Sequence, residues 1–243
     1  MPDKNDHFSP ETDIQPNRIP EVLLILGTDA AGKNHIANFI YEASTGAAIA
    51  IEKREGWFSA PKTESASSEN KGPLFLLLEK IFLITFPVTK FLLPLLLDFL
   101  IRQDLRSFRK KKDKILVISH TALRILSFYL GHMFLNQDEI RIPRHLDRTL
   151  RSIPLITGVQ TLVLDISDET RKKRIDRRKR AGKIDNFDRY MAQDSLRSER
   201  IEAFLVWLGI QYLNAAVIEN NDLSDGDLAR EINRAFQKFA ITS

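Results

Sequence analysis

The stretch Val22-Leu23-Leu24-Ile25-Leu26-Gly27-Thr28-Asp29-Ala30-Ala31-Gly32-Lys33-Asn34-His35 decides the fold. Five apolar residues closed by a glycine read as a short buried strand. The following residues, with apolar Ile36, Phe39 and Ile40 beside Ala37 and Ala43, read as an amphipathic helix. Between them stands G-x-x-x-x-G-K, the spacing of a phosphate-binding loop. Gly27 and Gly32 allow backbone angles that a side chain forbids. The loop amides can then converge on phosphate oxygens at a helix N-terminus. Lys33 supplies a point charge able to reach β- and γ-phosphates. The next position, where a hydroxyl ordinarily ligates Mg²⁺, holds Asn34.

Outward from this loop, the chain alternates strand and helix. Ala47–Ile51, Ile115–Ile118, Thr161–Ile166 and a segment within Tyr212–Glu219 are further strand candidates. Helices are expected over Asn34–Ser44, Ala122–Leu135, Asp138–Ile156, Asp168–Ala181, about Asp188–Leu208 and Asp225–Phe239. No strand pair is joined by a hairpin turn, so helical crossovers make the sheet parallel. The expected fold is α/β and three-layered: a parallel five-stranded sheet of the P-loop NTPase type, helices on both faces, and a helical lid. Ligands of such sheets sit at the C-terminal ends of strands. Gly27, Arg54, His120 and Asp165 fall at such ends.

Residues 1–20 read as a polar, proline-containing disordered lead-in, and 21–243 as one domain. Within it, 59–73 (SAPKTESASSENKGP) reads as a flexible loop. Residues 74–110 read as a hydrophobic helical pair, divided near Pro87, and 168–188 as a basic lid. The apolar run Leu74–Ile101 approaches the length of a membrane span. It is interrupted by Glu79, Lys80, Lys90, Asp98 and two prolines. Burial in the core and a homodimer interface is the first expectation for it, and peripheral membrane contact the second.

The 243-residue chain carries a formal net charge of +4. Its basic clusters, Arg106–Lys114 and Arg171–Lys183, serve phosphorylated small molecules as readily as nucleic acid, and no nucleic-acid partner is expected. The absence of Cys excludes disulfides, thiolate metal sites and cysteine nucleophiles. With no apolar segment in the first twenty residues, a cytoplasmic location is expected, with membrane association as the variant.

These features resemble the P-loop nucleoside monophosphate kinases, and thymidylate kinase-like members most closely. The acidic loop residue Asp29, the partial Arg-Glu-Pro-Gly element at Arg54-Glu55-Gly56, the strand Thr161-Leu-Val-Leu-Asp165 and the arginine-rich Asp168–Asp188 segment carry the resemblance. It implies ATP as phosphoryl donor, Mg²⁺ as cofactor and a nucleotide or other small phosphorylated acceptor. It places Asp29, Arg54 and His120 near the acceptor, and Gly27 to His35 around ATP (Gly27, Thr28, Asp29, Ala30, Ala31, Gly32, Lys33, Asn34 and His35). Asn34 and Asp165 become candidate metal contacts. The loop has no arginine of its own, so a catalytic cation must come from the lid. Arg174 and Arg178, four apart on one helix face, join Lys33 as catalytic candidates.

Ser119-His120 replaces the family's Asp-Arg pair, and Asn34 its hydroxyl. These departures motivate the alternative of a nucleotide-binding protein with lost or weak catalysis, associated with a membrane surface. Plainer roles exist for single residues: Asp29 as a turn cap, Asp165 as a strand-end turn, the lid arginines as a solvated face.

Overall fold

The computed structural model describes residues 14, 19–28, 30–45, 50–55, 93–107, 114–133, 141–182, 189 and 191–242. The readings of 59–73, of the first hydrophobic helix, and of Asp29 and Asp185 lie outside them.

Five strands run β1 (Val22–Leu26), β2 (Ala50–Glu55), β3 (Lys114–His120), β4 (Gln160–Asp165) and β5 (Ala216–Glu219). They form one sheet in the order β2-β3-β1-β4-β5. Every pairing is parallel, with Leu24 opposite Ile118 on one side and Thr161 on the other. The seven described helices are α1 (Lys33–Thr45), α2 (Leu93–Ser107), α3 (Ala122–Met133), α4 (Arg144–Thr157), α5 (Asp168–Arg180), α6 (Ser195–Leu213) and α7 (Asp225–Thr242).

β1 is central and all five of its residues are buried. Because successive strand residues point to opposite faces, its side chains divide between two cores. Val22, Leu24 and Leu26 join Leu97, Leu126, Leu150 and Leu205 of α2, α3, α4 and α6. Leu23 and Ile25 join Ile36 and Ile40 of α1 and Ile232 and Phe236 of α7. Helices thus cover both faces, as a parallel sheet requires.

Three boundaries differ from expectation. β2, expected to end at Ile51, runs on through the charged residues Glu52-Lys53-Arg54-Glu55. It is an edge strand, and an edge tolerates charge that a central strand does not. α6 starts seven residues later than the sequence pattern indicated. Its cap is Asp194, whose carboxylate accepts from the Arg197 amide, and it ends on left-handed Asn214. Finally, Ile14 and Ile19 are buried against the α1–α7 face, so packed structure begins before residue 21.

Candidate functional site

The phosphate-loop sequence forms the turn from the end of β1 into α1. Ala30 (φ +66°) and Gly32 (φ +93°) both adopt left-handed backbone. The first helical bond runs from the Ile36 amide to the Gly32 carbonyl at 3.0 Å. A Cβ on Gly27 would stand 2.9 Å from that of Ala31, and one on Gly32 would stand 2.6 Å from Asn220 Nδ2. Neither position admits a side chain. The Lys33 side chain is buried and curls back over the loop. Its Nζ donates to the carbonyls of Gly27 (2.8 Å) and Thr28 (2.7 Å). The ammonium therefore stands inside the turn, against its carbonyls.

Three supports hold this turn, and all come from the C-terminal part of the chain. Asn220, just past β5, donates from Nδ2 to the Ala31 carbonyl at 2.7 Å. Arg174 on α5 donates to the Ala30 carbonyl (3.0 Å), the Asn220 carbonyl (2.9 Å) and the Asp222 carboxylate (3.0 Å). Thr28 donates from Oγ1 to Glu202 Oε1 at 3.0 Å. Glu202 is 5% exposed and accepts through its other oxygen from Arg171, which is 2% exposed and also pairs with Asp168. Burial pushes the Glu202 carboxyl up to about 7, with Asp165 adding to the rise and Arg171 and Thr28 opposing it.

The sequence candidates separate accordingly. Gly27, Thr28, Ala30, Ala31, Gly32 and Lys33 form the turn itself. Thr28 faces Glu202 and is buried. Asn34 and His35 open α1 on its exposed side, His35 facing Asp225 with Nε2 3.3 Å from the carboxylate. Arg174 reaches the loop, engaging carbonyls and a carboxylate. Arg178 lies one turn further along α5 and is half-buried. The described part of the basic segment is thus a helix anchored to the strand ends, with Arg171, Thr170 and Ile175 buried. Arg54 and His120 end adjacent strands, Glu55 opposite His120 in register, on the far side of β1 from Asp165. The roles expected of their side chains lie outside what is described.

Asp165 closes β4 opposite Glu219 of β5. Burial and the Glu219 carboxylate raise its pKa, so a cation beside it would be favoured. Asn34, the other metal candidate, is exposed at the start of α1. Asp165 also opens onto a cavity of about 450 Å³ lined by Asp168, Glu199, Glu202, Trp207 and Ile210.

Asn220, Asp222 and Glu202 were not singled out from the sequence. Signals for them exist. Asn220-Asn221-Asp222 is a turn-forming cluster directly after a strand. Glu202 is a carboxylate set among the buried apolar residues Ile201, Phe204, Leu205 and Leu208 of its helix.

No family model matches the chain, and no curated protein matches it. Among solved structures, it is similar to thymidylate kinase from Ehrlichia chaffeensis at 11% identity, with 91% of this chain and 98% of that chain covered and a TM-score of 0.44. It is similar to deoxyadenosine kinase from M. mycoides, solved with dATP, at 15% identity, 91% and 100% coverage and a TM-score of 0.47. It is also similar to polyphosphate kinase 2 from Arthrobacter aurescens TC1, at 14% identity, 91% and 66% coverage and a TM-score of 0.42.

Proposed function

We propose that the chain is an ATP-dependent phosphotransferase of the thymidylate kinase-like type, moving the ATP γ-phosphoryl group to a nucleotide or other small phosphorylated acceptor. One observation carries this reading. The turn Gly27–Lys33 stands at the end of the central strand, with left-handed Gly32 and a buried Lys33 at the start of α1. Phosphoryl transfer needs positioning and charge neutralisation more than covalent help. The loop amides and the Lys33 ammonium supply both for the donor phosphates. Asn34 and Asp165 are the residues that would hold Mg²⁺, which supplies charge neutralisation of the phosphoryl oxygens when bound.

The cavity beside Thr28 supports a placement for the acceptor. Its carboxylates accept from hydroxyl or ammonium groups, and they repel a phosphomonoester. The acceptor's phosphate then belongs toward Arg54 and His120, across β1, and its polar body toward Asp165 and Trp207.

The second reading is a nucleotide-binding protein with weak catalysis. It is favoured by the engagement of Arg174, which leaves the chief lid candidate holding the loop. Calorimetric titration with ATP·Mg²⁺, followed by a coupled assay over a panel of nucleosides and nucleotides, separates the two. Binding plus turnover that Lys33→Ala lowers by about 100-fold or more supports the first. Binding with no turnover supports the second. No ATP binding at millimolar concentrations would remove both.

A further inference from the structure

We propose that the outward face of α2 docks on an anionic lipid surface. Helix α2 is anchored to the core through Leu93, Leu97, Leu100, Ile101 and Leu105, all buried. That spacing completes an inward stripe. Leu95, Leu96 and Phe99 are surplus to it, and they remain 62%, 49% and 52% exposed. Along the same outward stripe, positions 95, 99, 102 and 106 follow one another at helical spacing. The stripe therefore passes from apolar residues to two exposed arginines, Arg102 and Arg106.

The helix has two acidic residues, and both are engaged. Asp98 accepts from the Thr149 hydroxyl and from Arg102. Asp104 is buried and accepts from the Ala122 amide at 2.7 Å. The sequence continues beyond Ser107 as Phe-Arg-Lys-Lys-Lys, and it arrives at Leu93 from residues 74–92, thirteen of which are Leu, Ile, Val or Phe. Arg102 is thus paired with Asp98, and Arg106 with the basic run after Ser107 carries the surplus positive charge beside the apolar residues, which complements the acyl boundary and the negative headgroups of a lipid surface. No described helix is long and apolar enough to cross a membrane, and α2, with its inward stripe in the core, offers only its outer face to a lipid surface.

A second copy of the chain fits this face less well. A stable protein interface takes roughly 800 Å² from each partner, more than three part-exposed side chains provide. Pairing two such stripes would also set Arg106 against leucines or against its own copy.

The test is co-sedimentation of the full chain with phosphatidylcholine vesicles, with and without phosphatidylglycerol, read beside its sedimentation equilibrium. The expected result is binding to the anionic vesicles that high salt weakens. Binding should fall about tenfold or more in Leu96→Asp/Phe99→Asp and, separately, in Arg102→Glu/Arg106→Glu. The second pair removes no buried side chain, only the exposed Arg102–Asp98 ion pair, and Arg106→Glu alone, which leaves that pair in place, keeps the test informative if either double variant disturbs folding. Absence of binding to anionic vesicles overturns the proposal. So does binding that both variants retain, or a dimer that the variants split while vesicles stay unbound.

Discussion

Asn220 donates from its side-chain amide to the carbonyl of Ala31, 2.7 Å away and 189 positions earlier in the chain. Its own backbone amide is held by the Asp165 carbonyl at 2.8 Å. The end of β5 is thereby tied through the end of β4 to the turn after β1. The same Nδ2 occupies the space where a side chain on Gly32 would begin.

Gly32→Ala should therefore damage the protein more than Gly182→Ala. Both glycines have positive φ, which costs an alanine roughly 1 kcal/mol in either place. Only Gly32 adds a collision, at 2.6 Å, whereas nothing stands within 4 Å of the corresponding point on Gly182. ATP titration of the two variants, with melting temperatures alongside, should show lost binding for Gly32→Ala and near-normal binding for Gly182→Ala.

Arg174 can be distinguished as clamp or catalytic cation by kinetics. Its three acceptors are the carbonyls of Ala30 and Asn220 and the Asp222 carboxylate. Lysine keeps the charge and loses the fork. As a clamp, Arg174→Lys should weaken ATP binding about tenfold, worth ~1.4 kcal/mol, with a smaller change in kcat. A loss confined to kcat at unchanged ATP affinity would instead assign it to the transferring phosphoryl group.

Glu202 sets a pH dependence of stability. Its folded pKa is raised, from 4.5 to about 7. Between those values the folded chain holds a proton that the unfolded chain has released, so this group's contribution falls as pH rises through the window. Melting temperature should decline from about pH 5 to about pH 7 in the natural chain. Glu202→Gln should flatten that slope, with Asp168 remaining to pair Arg171. An unchanged slope in the variant would reject Glu202 as its source.

Gly209 fixes how closely α6 lies on β4. A Cβ there would stand 2.3 Å from Val163 Cγ2 and 3.2 Å from Ala215 Cβ. Gly209→Ala should cost about 1–3 kcal/mol through overpacking. Adding Val163→Ala removes the nearest atom, so the double variant should be less destabilised than the sum of the singles. Urea denaturation of the four proteins measures the coupling.

Strand and helix order was legible because apolar runs and amphipathic periods are local properties. Val22–Leu26 is read unchanged, and α7 from Asp225 likewise. β2 runs four residues past its expected end at Ile51 because its edge position, a property of the whole sheet, lets Glu52 to Glu55 stay in a strand. The loop too was legible, since its spacing is local. What supports it was not: Asn220, Asp222 and Glu202 reach it across 174 to 192 positions, or touch it through Arg174, and no local period announces such contacts. Lys33 was expected to project toward phosphates, yet it bonds carbonyls of its own turn. Arg174 was picked for helical spacing and charge, and its engagement with Ala30 depends on where α5 meets the β1 turn.

The origin of the loop's supports has a bearing on synthesis. β1 and its turn leave the ribosome early, while Arg174, Glu202 and Asn220 follow far behind. Until the segment through Asn220 has emerged, left-handed Ala30 has no guanidinium on its carbonyl and Ala31 no amide. The turn between β1 and α1 should thus complete its support late in synthesis, ahead only of α7, although β1 itself is made early.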